Sequence, residues 1–172
     1  VKNKEQIFNK LMTENKDRIY RLCHAYLYDQ NEVQDLYQDI WLNIWRNLHT
    51  FRGEASWSTW VYRIAVNTAL AYNKRNRRRR NVFSGENPAH DALPAEDVTE
   101  EKMEKEKALD HLAWCISQLE KQDRLIITML LEGMAYKEIA AVLGISPNHV
   151  GVKINRIKKK LSNMMKTKAY EF

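Results

Sequence analysis

Between Tyr136 and Leu161, two rows of side chains run at helical spacing along one segment. Val150, Ile154, Ile157 and Leu161 recur at intervals of 4, 3 and 4, and so do His149, Lys153, Arg156 and Lys160. An apolar row that docks a helix, with a cationic row on another side, is what entry into the DNA major groove requires. The alternative is a solvated basic face on an ordinary helical hairpin. Local signals favour the first: Gly144 suits a left-handed cap, Ser146 is a good N-cap, and Pro147 fits the first position of a new helix. Two helices joined so tightly form a helix-turn-helix. Arg156 is the first candidate for a base edge, then Lys153 and Asn155, with His149 in the same cationic row; Lys158 and Lys159 are candidates for phosphates.

A second group mixes aromatics with cations. Trp57, Trp60 and Tyr62 lie beside the Phe51–Ser56 stretch, with Arg63 next and six positive charges among the seven residues 74–80. Aromatic faces receive unstacked bases and cations follow a backbone, which are the two needs of a single-strand site. Trp57 is the better stacking candidate, whereas Trp60 is as readily a packing residue. A third group is a stripe of Asp35, Gln38 (with Asp39), Trp41 and Trp45 at intervals of 3, 3 and 4. Acids mixed with large aromatics suit a protein interface; the plainer reading puts both Trp in a core and leaves both Asp solvated. No catalytic constellation is present: there is no Gly-rich phosphate loop, and no His pairs with a Ser or Cys at a recognisable spacing. Cys23 and Cys115 stand 92 positions apart among apolar neighbours and read as buried, reduced thiols; the five His are scattered, so neither a metal nor a cofactor is expected.

The elements that must position these groups are helices. Gly and Pro number only five and three, and alternating Val, Ile and Thr runs are missing, so the expected fold is all-α. Apolar side chains at helical spacing place one helix over 5–28 and a second over 32–48. The Phe51–Ser56 stretch reads as a loop, and a third helix spans roughly 57–76. Residues 81–101 carry six acids and no Lys or Arg, and with Gly85, Pro88 and Pro94 they read as a flexible linker. A linker of about 25 residues reaches roughly 80 Å extended, or averages about 28 Å as a coil, so two domains could grip separate places on one partner. The expected division is residues 1–80 as a three-to-four-helix bundle, 81–105 as linker, 106–165 as the helix-turn-helix domain and 166–172 as a tail. The net charge of +6 and pI near 9.3 point to a polyanionic partner.

At this point the sequence resembles a known family. Asp35-Leu36-Tyr37-Gln38-Asp39-Ile40-Trp41, Phe51-Arg52-Gly53, Trp60-Val61-Tyr62-Arg63-Ile64-Ala65-Val66-Asn67 and Tyr136-Lys137-Glu138-Ile139-Ala140 look like the extracytoplasmic-function group of bacterial sigma factors. The pieces occur in the family's order and cover nearly the whole chain. The resemblance implies a region 2 over the first domain and a region 4 over the second. Region 2 would bind core RNA polymerase through Asp35, Gln38, Asp39, Trp41 and Trp45. It would melt and hold the −10 element through Gly53, Glu54, Ser56, Trp57, Arg63, Asn67, Lys74 and Arg75, with Asn67 lining the pocket of a flipped base. Region 4 would read the −35 duplex from positions matching Gly151, Val152, Asn155 and Arg156. Here the sequence departs from its relatives, which commonly carry a basic residue at the place of Gly151 and a small polar one at that of Val152, so the family's own base contacts do not carry over to these two positions.

The function so implied is promoter-specific transcription initiation with core RNA polymerase, under an anti-sigma factor, in the cytoplasm, by a protein that is monomeric when free. No apolar run approaches the ~18–20 residues of a membrane span, and no signal peptide is visible. Competing readings are a dimeric helix-turn-helix regulator, which needs a dimerisation surface or a ligand pocket within residues 1–80, and a fold-retaining decoy. Only a sigma factor yields specific starts when added to core polymerase.

Overall fold

The computed structural model describes the backbone of residues 2–80 and 100–168 and, within them, the side chains of 3–72, 105 and 107–167. Among the described residues there are seven α-helices: α1 (Lys2–Tyr26), α2 (Gln30–Asn47), α3 (Trp57–Arg80), α4 (Glu100–Ser117), α5 (Lys121–Leu131), α6 (Tyr136–Leu143) and α7 (Pro147–Lys168), with a short 3-10 turn at Leu48–Thr50. The described residues contain no strand. No helix among them is long and apolar enough to cross a membrane.

Local chemistry explains the helix ends. The Asp29 carboxylate accepts from the Glu32 backbone N–H at 2.9 Å and starts α2, and Ser56 Oγ accepts from the Thr59 N–H at 3.1 Å at the start of α3. At the end of α6, Gly144 adopts φ 69°, where a side chain would be strained, and its N–H reaches the Ala140 carbonyl at 2.9 Å. Ser146 Oγ then accepts from the His149 N–H at 3.2 Å, and α7 begins with Pro147.

α1, α2 and α3 pack on one another as the first module. Its core holds Leu11, Ile19, Leu22, Tyr26, Val33, Leu36, Ile40, Ile44, Val61 and Tyr62. Each such Leu or Ile contributes about 1.5–3 kcal/mol through burial. Burial also pushes the Cys23 thiol up to about 12, so it packs as a neutral apolar group. α7 packs on α4, α5 and α6 to form the second module around Cys115, Leu125, Met129, Ile139, Val150, Ile154 and Ile157. Both cysteines are buried and unpaired.

One difference from the sequence reading stands out. α4 starts at Glu100, inside the segment expected to be linker, because the Glu-, Lys- and Met-rich run after it favours helix. Residues 81–99 of that linker, the flexibility expected of it and residues 169–172 of the tail lie outside the described residues.

The modules also pack together, α1 against α5 and α3 against α6. Glu132 sits between two arginines of α1: Arg18 Nε donates to its carboxylate at 3.2 Å and Arg21 Nη2 at 2.9 Å. Hydrogen bonds from Arg21, and then Arg18, hold the Glu132 carboxyl below the usual carboxylate range. Buried Arg124 of α5 donates to the carbonyls of Ser117 (3.0 Å) and Tyr26 (3.3 Å) and to the Tyr28 hydroxyl, and burial lowers its pKa.

Candidate functional site

On α2, the expected stripe separates into two faces. Asp35 and Gln38 are exposed, and Asp39 and Trp45 are half-buried. Trp41 points inward at 4% exposure, edge-on to Phe8 (5.8 Å between ring centres) and Tyr37 (6.1 Å). This corrects its placement on a contact surface: two successive steps of three turn about 120° around a helix, which carries position 41 off the face of position 35. Leu42, 44% exposed, takes its place, so the outward stripe is Asp35, Gln38, Leu42 and Trp45 at intervals of 3, 4 and 3. The sequence held that signal in the spacing, but the large aromatic drew attention to its neighbour. The Trp45 ring itself meets Phe8 edge-on and has the Lys4 ammonium over it at 4.3 Å.

The loop before α3 turns at Gly53, with φ 75°, and exposes Glu54 and Ser56. Trp57 lies stacked on Phe51, ring centres 3.5 Å apart and planes 16° from parallel, while Trp60 meets both rings edge-on. One face of Trp57 is therefore taken by Phe51. Asn67 is exposed rather than buried, so it carries no obligation to find an internal partner. It lines a cleft of about 410 Å³ with Asn43, Asn47, Thr50, Trp60 and Thr68. The floor is fixed by hydrogen bonds from Asn43 Nδ2 to Thr68 Oγ1 (3.1 Å) and from Thr68 Oγ1 to the Ile64 carbonyl (2.8 Å). Arg63 is exposed, but its guanidinium is engaged: Nη2 donates to the Ala141 carbonyl of α6 at 2.7 Å, and Nε at 3.0 Å. The side chains of Lys74 and Arg75 lie outside the described residues.

On α7, His149, Asn155, Arg156, Lys158 and Lys159 are exposed and Lys153 is half-buried, while Val150, Ile154, Ile157 and Leu161 dock the helix. Asp123, a residue the sequence reading passed over, is buried at 2% exposure in the first turn of α5. Lys160 Nζ stands 3.3 Å from its carboxylate and Arg156 Nη2 3.9 Å. A buried carboxylate thus anchors part of the cationic row. Tyr136, read in the sequence only as part of a motif, has its ring 3.6 Å from where a side chain on Gly151 would start.

Comparison with known proteins places both modules. Sigma-70 region 2 matches residues 11–79, and Sigma-70, region 4 matches residues 111–161. The ECF RNA polymerase sigma-E factors of Escherichia coli K12 and Haemophilus influenzae are 29% and 27% identical to the chain, covering 94% and 92% of it and 88% and 87% of their own lengths. The chain belongs to the extracytoplasmic-function sigma factors.

Two solved structures share its fold. The sigma factor RpoE, crystallised with the anti-sigma factor NepR from Bartonella quintana, superposes with a TM-score of 0.70 at 17% identity, covering 96% of this chain and 98% of its own. CnrH, in complex with the cytosolic domain of CnrY, gives 0.65 at 22% identity, covering 95% and 90%. In sigma-factor terms, α1–α3 are region 2 and α4–α7 are region 4. The outward stripe of α2 and the cleft by Asn67 lie in region 2, and the α7 cations lie in region 4.

Proposed function

We propose that this sigma factor binds core RNA polymerase through the exposed stripe of α2, reads the −35 duplex with α7, and opens the −10 element at α3. The observation that carries this is the pairing of two different nucleic-acid surfaces on one chain. One is a cationic helix face shaped for a groove, and the other is a cleft lined with amides and Trp60, large enough for an unstacked base. Asn67 would read the extruded base with an amide that both donates and accepts. Trp57 would stack on the strand with the face that Phe51 leaves open. Arg63 would follow the backbone once its bonds to the Ala141 carbonyl are exchanged for phosphate. The protein supplies recognition and strand capture, while polymerase supplies the chemistry. That work lies in the cytoplasm, and a protein of the anti-sigma class, the partner of the structurally similar RpoE, would control it.

Transcription with core polymerase on a promoter library tests the reading. Specific starts that depend on this protein are expected; binding to palindromic duplex without core, and no starts, would replace it with a dimeric regulator. Permanganate footprinting with Asn67→Ala tests the cleft. Because Asn67 is exposed, thermal stability should hold within about 1 kcal/mol, while opening of the cognate −10 element falls far more than opening of a template with that base changed. Equal losses on the two templates would remove Asn67 from the reading site.

A further inference from the structure

Val152 stands 62% exposed on the outer face of the first half of α7. Its neighbours on that face lie three and four residues away, at Asn148, His149, Asn155 and Arg156, and all four are exposed. A β-branched residue is a mediocre helix former, and at this exposure it gains little from packing, so α7 does not need valine there. Position 151, the next to face outward, sends out no side chain, and the half-exposed Tyr136 ring closes that flank 3.6 Å from the Gly151 Cβ position. The centre of the reading face is therefore a pair of methyl groups ringed by hydrogen-bonding and cationic side chains. Among base edges in the major groove, the apolar feature is the thymine C5-methyl.

We propose that Val152 is a specificity-determining residue that selects thymine at one position of the −35 element through its methyl groups. The inference rests on α7 being the −35 reader and goes further by naming the base. Cytosine at that position would turn its N4 amino group toward Val152, where it loses water without gaining an acceptor. Asn155 and Arg156 flank the contact with polar readout of adjacent bases.

The test uses holoenzyme assembled from the full chain and core RNA polymerase. Selection from promoters with a randomised −35 region should enrich thymine at one position with the wild-type protein, and Val152→Ser should lose that preference while keeping the melting temperature. Replacing that single thymine by deoxyuridine removes only the methyl group. It should weaken wild-type binding about fourfold, the value of burying one such group, and leave the serine variant unaffected. Enrichment of a −35 sequence with no penalty for deoxyuridine at any thymine, or an equal penalty in both proteins, overturns the assignment and leaves α7 as the −35 reader. No −35 enrichment at all overturns that reading and the assignment with it.

Discussion

The two modules use their cations in opposite ways. In region 2, Arg18 and Arg21 point at Glu132 of the other module, and Arg63 donates to the Ala141 carbonyl of α6. In region 4, Arg156, Lys158 and Lys159 stand exposed, and Asp123 beneath them anchors Arg156 and Lys160. Region 4 presents its cationic helix face already formed, whereas Arg63 of region 2 is engaged by the neighbouring α6. A duplex reader can be rigid, because B-form DNA meets it as a preformed groove. In the proposed reading the strand-opening surface would have no ligand until the duplex begins to part, and Arg63 meanwhile finds another acceptor in the Ala141 carbonyl.

The largest expected effect separates packing from contact within α2. Trp41→Ala removes a buried aromatic and should cost about 3–5 kcal/mol of stability. Leu42→Ala should leave the melting temperature unchanged and weaken binding to core polymerase, by about 2 kcal/mol if Leu42 is an interface anchor. Melting curves and core-binding titrations on both variants decide it. A Trp41→Ala protein of normal stability that fails to bind core would return Trp41 to the surface stripe.

This is also where the sequence was least legible. The helix-turn-helix could be read because its signals are local: Gly144, Ser146 and Pro147 each act on their own backbone. The three helices of region 2 followed from apolar periodicity, to within a few residues at their starts and ends. Trp41 and Leu42 are adjacent and both apolar, so only the angle around the helix separates inside from outside, and small spacing errors accumulate. The pairs Arg18–Glu132 and Arg63–Ala141 join residues 114 and 78 positions apart, and no local pattern announces a contact of that kind. Asp123 looked like an ordinary acid in the first turn of a helix; its burial beneath two cations depends on how α7 crosses α5.

Next in size is the readout by region 4. Arg156→Ala should cost about 1–3 kcal/mol at one base position of the −35 element if the guanidinium forks onto a guanine. Competition between promoters changed one base at a time measures this. A loss spread evenly over all sequences would make Arg156 a phosphate contact.

The packing between modules predicts a smaller, pH-dependent effect. The folded-state pKa of Glu132 is depressed, so its contribution is fully present above the ordinary value of about 4.3 and is lost as the pH falls through the folded value below it. Glu132→Gln should lower stability by about 1 kcal/mol near neutrality. The difference between the two proteins should shrink toward zero in acid, which melting curves between neutral and acid pH would follow. A constant difference across that range would mean that Arg18 and Arg21 gain nothing from the charge of Glu132.

The smallest effects distinguish the cations of α7 from one another. The helix has 22 residues and is roughly 33 Å long, while the major groove is about 12 Å wide. Its first two turns can lie among base edges, but its second half must pass out over the sugar-phosphate backbone. Lys158 and Lys159 stand at that crossing, exposed and with no carboxylate in the described structure within ion-pair distance. Removing a cation that pairs with one phosphate should lower the slope of log affinity against log salt by about 0.9, with every sequence weakened alike. Lys158→Ala should show this full change. Lys160→Ala should show less, because its ammonium sits 3.3 Å from Asp123 and is already partly neutralised in the free protein. Asp123→Asn, which keeps the shape and removes the charge, should then steepen the slope as Lys160 is freed for phosphate. Equal slope changes for Lys158→Ala and Lys160→Ala, unaltered by Asp123→Asn, would mean that the buried carboxylate only packs and that the whole cationic row meets DNA unassisted.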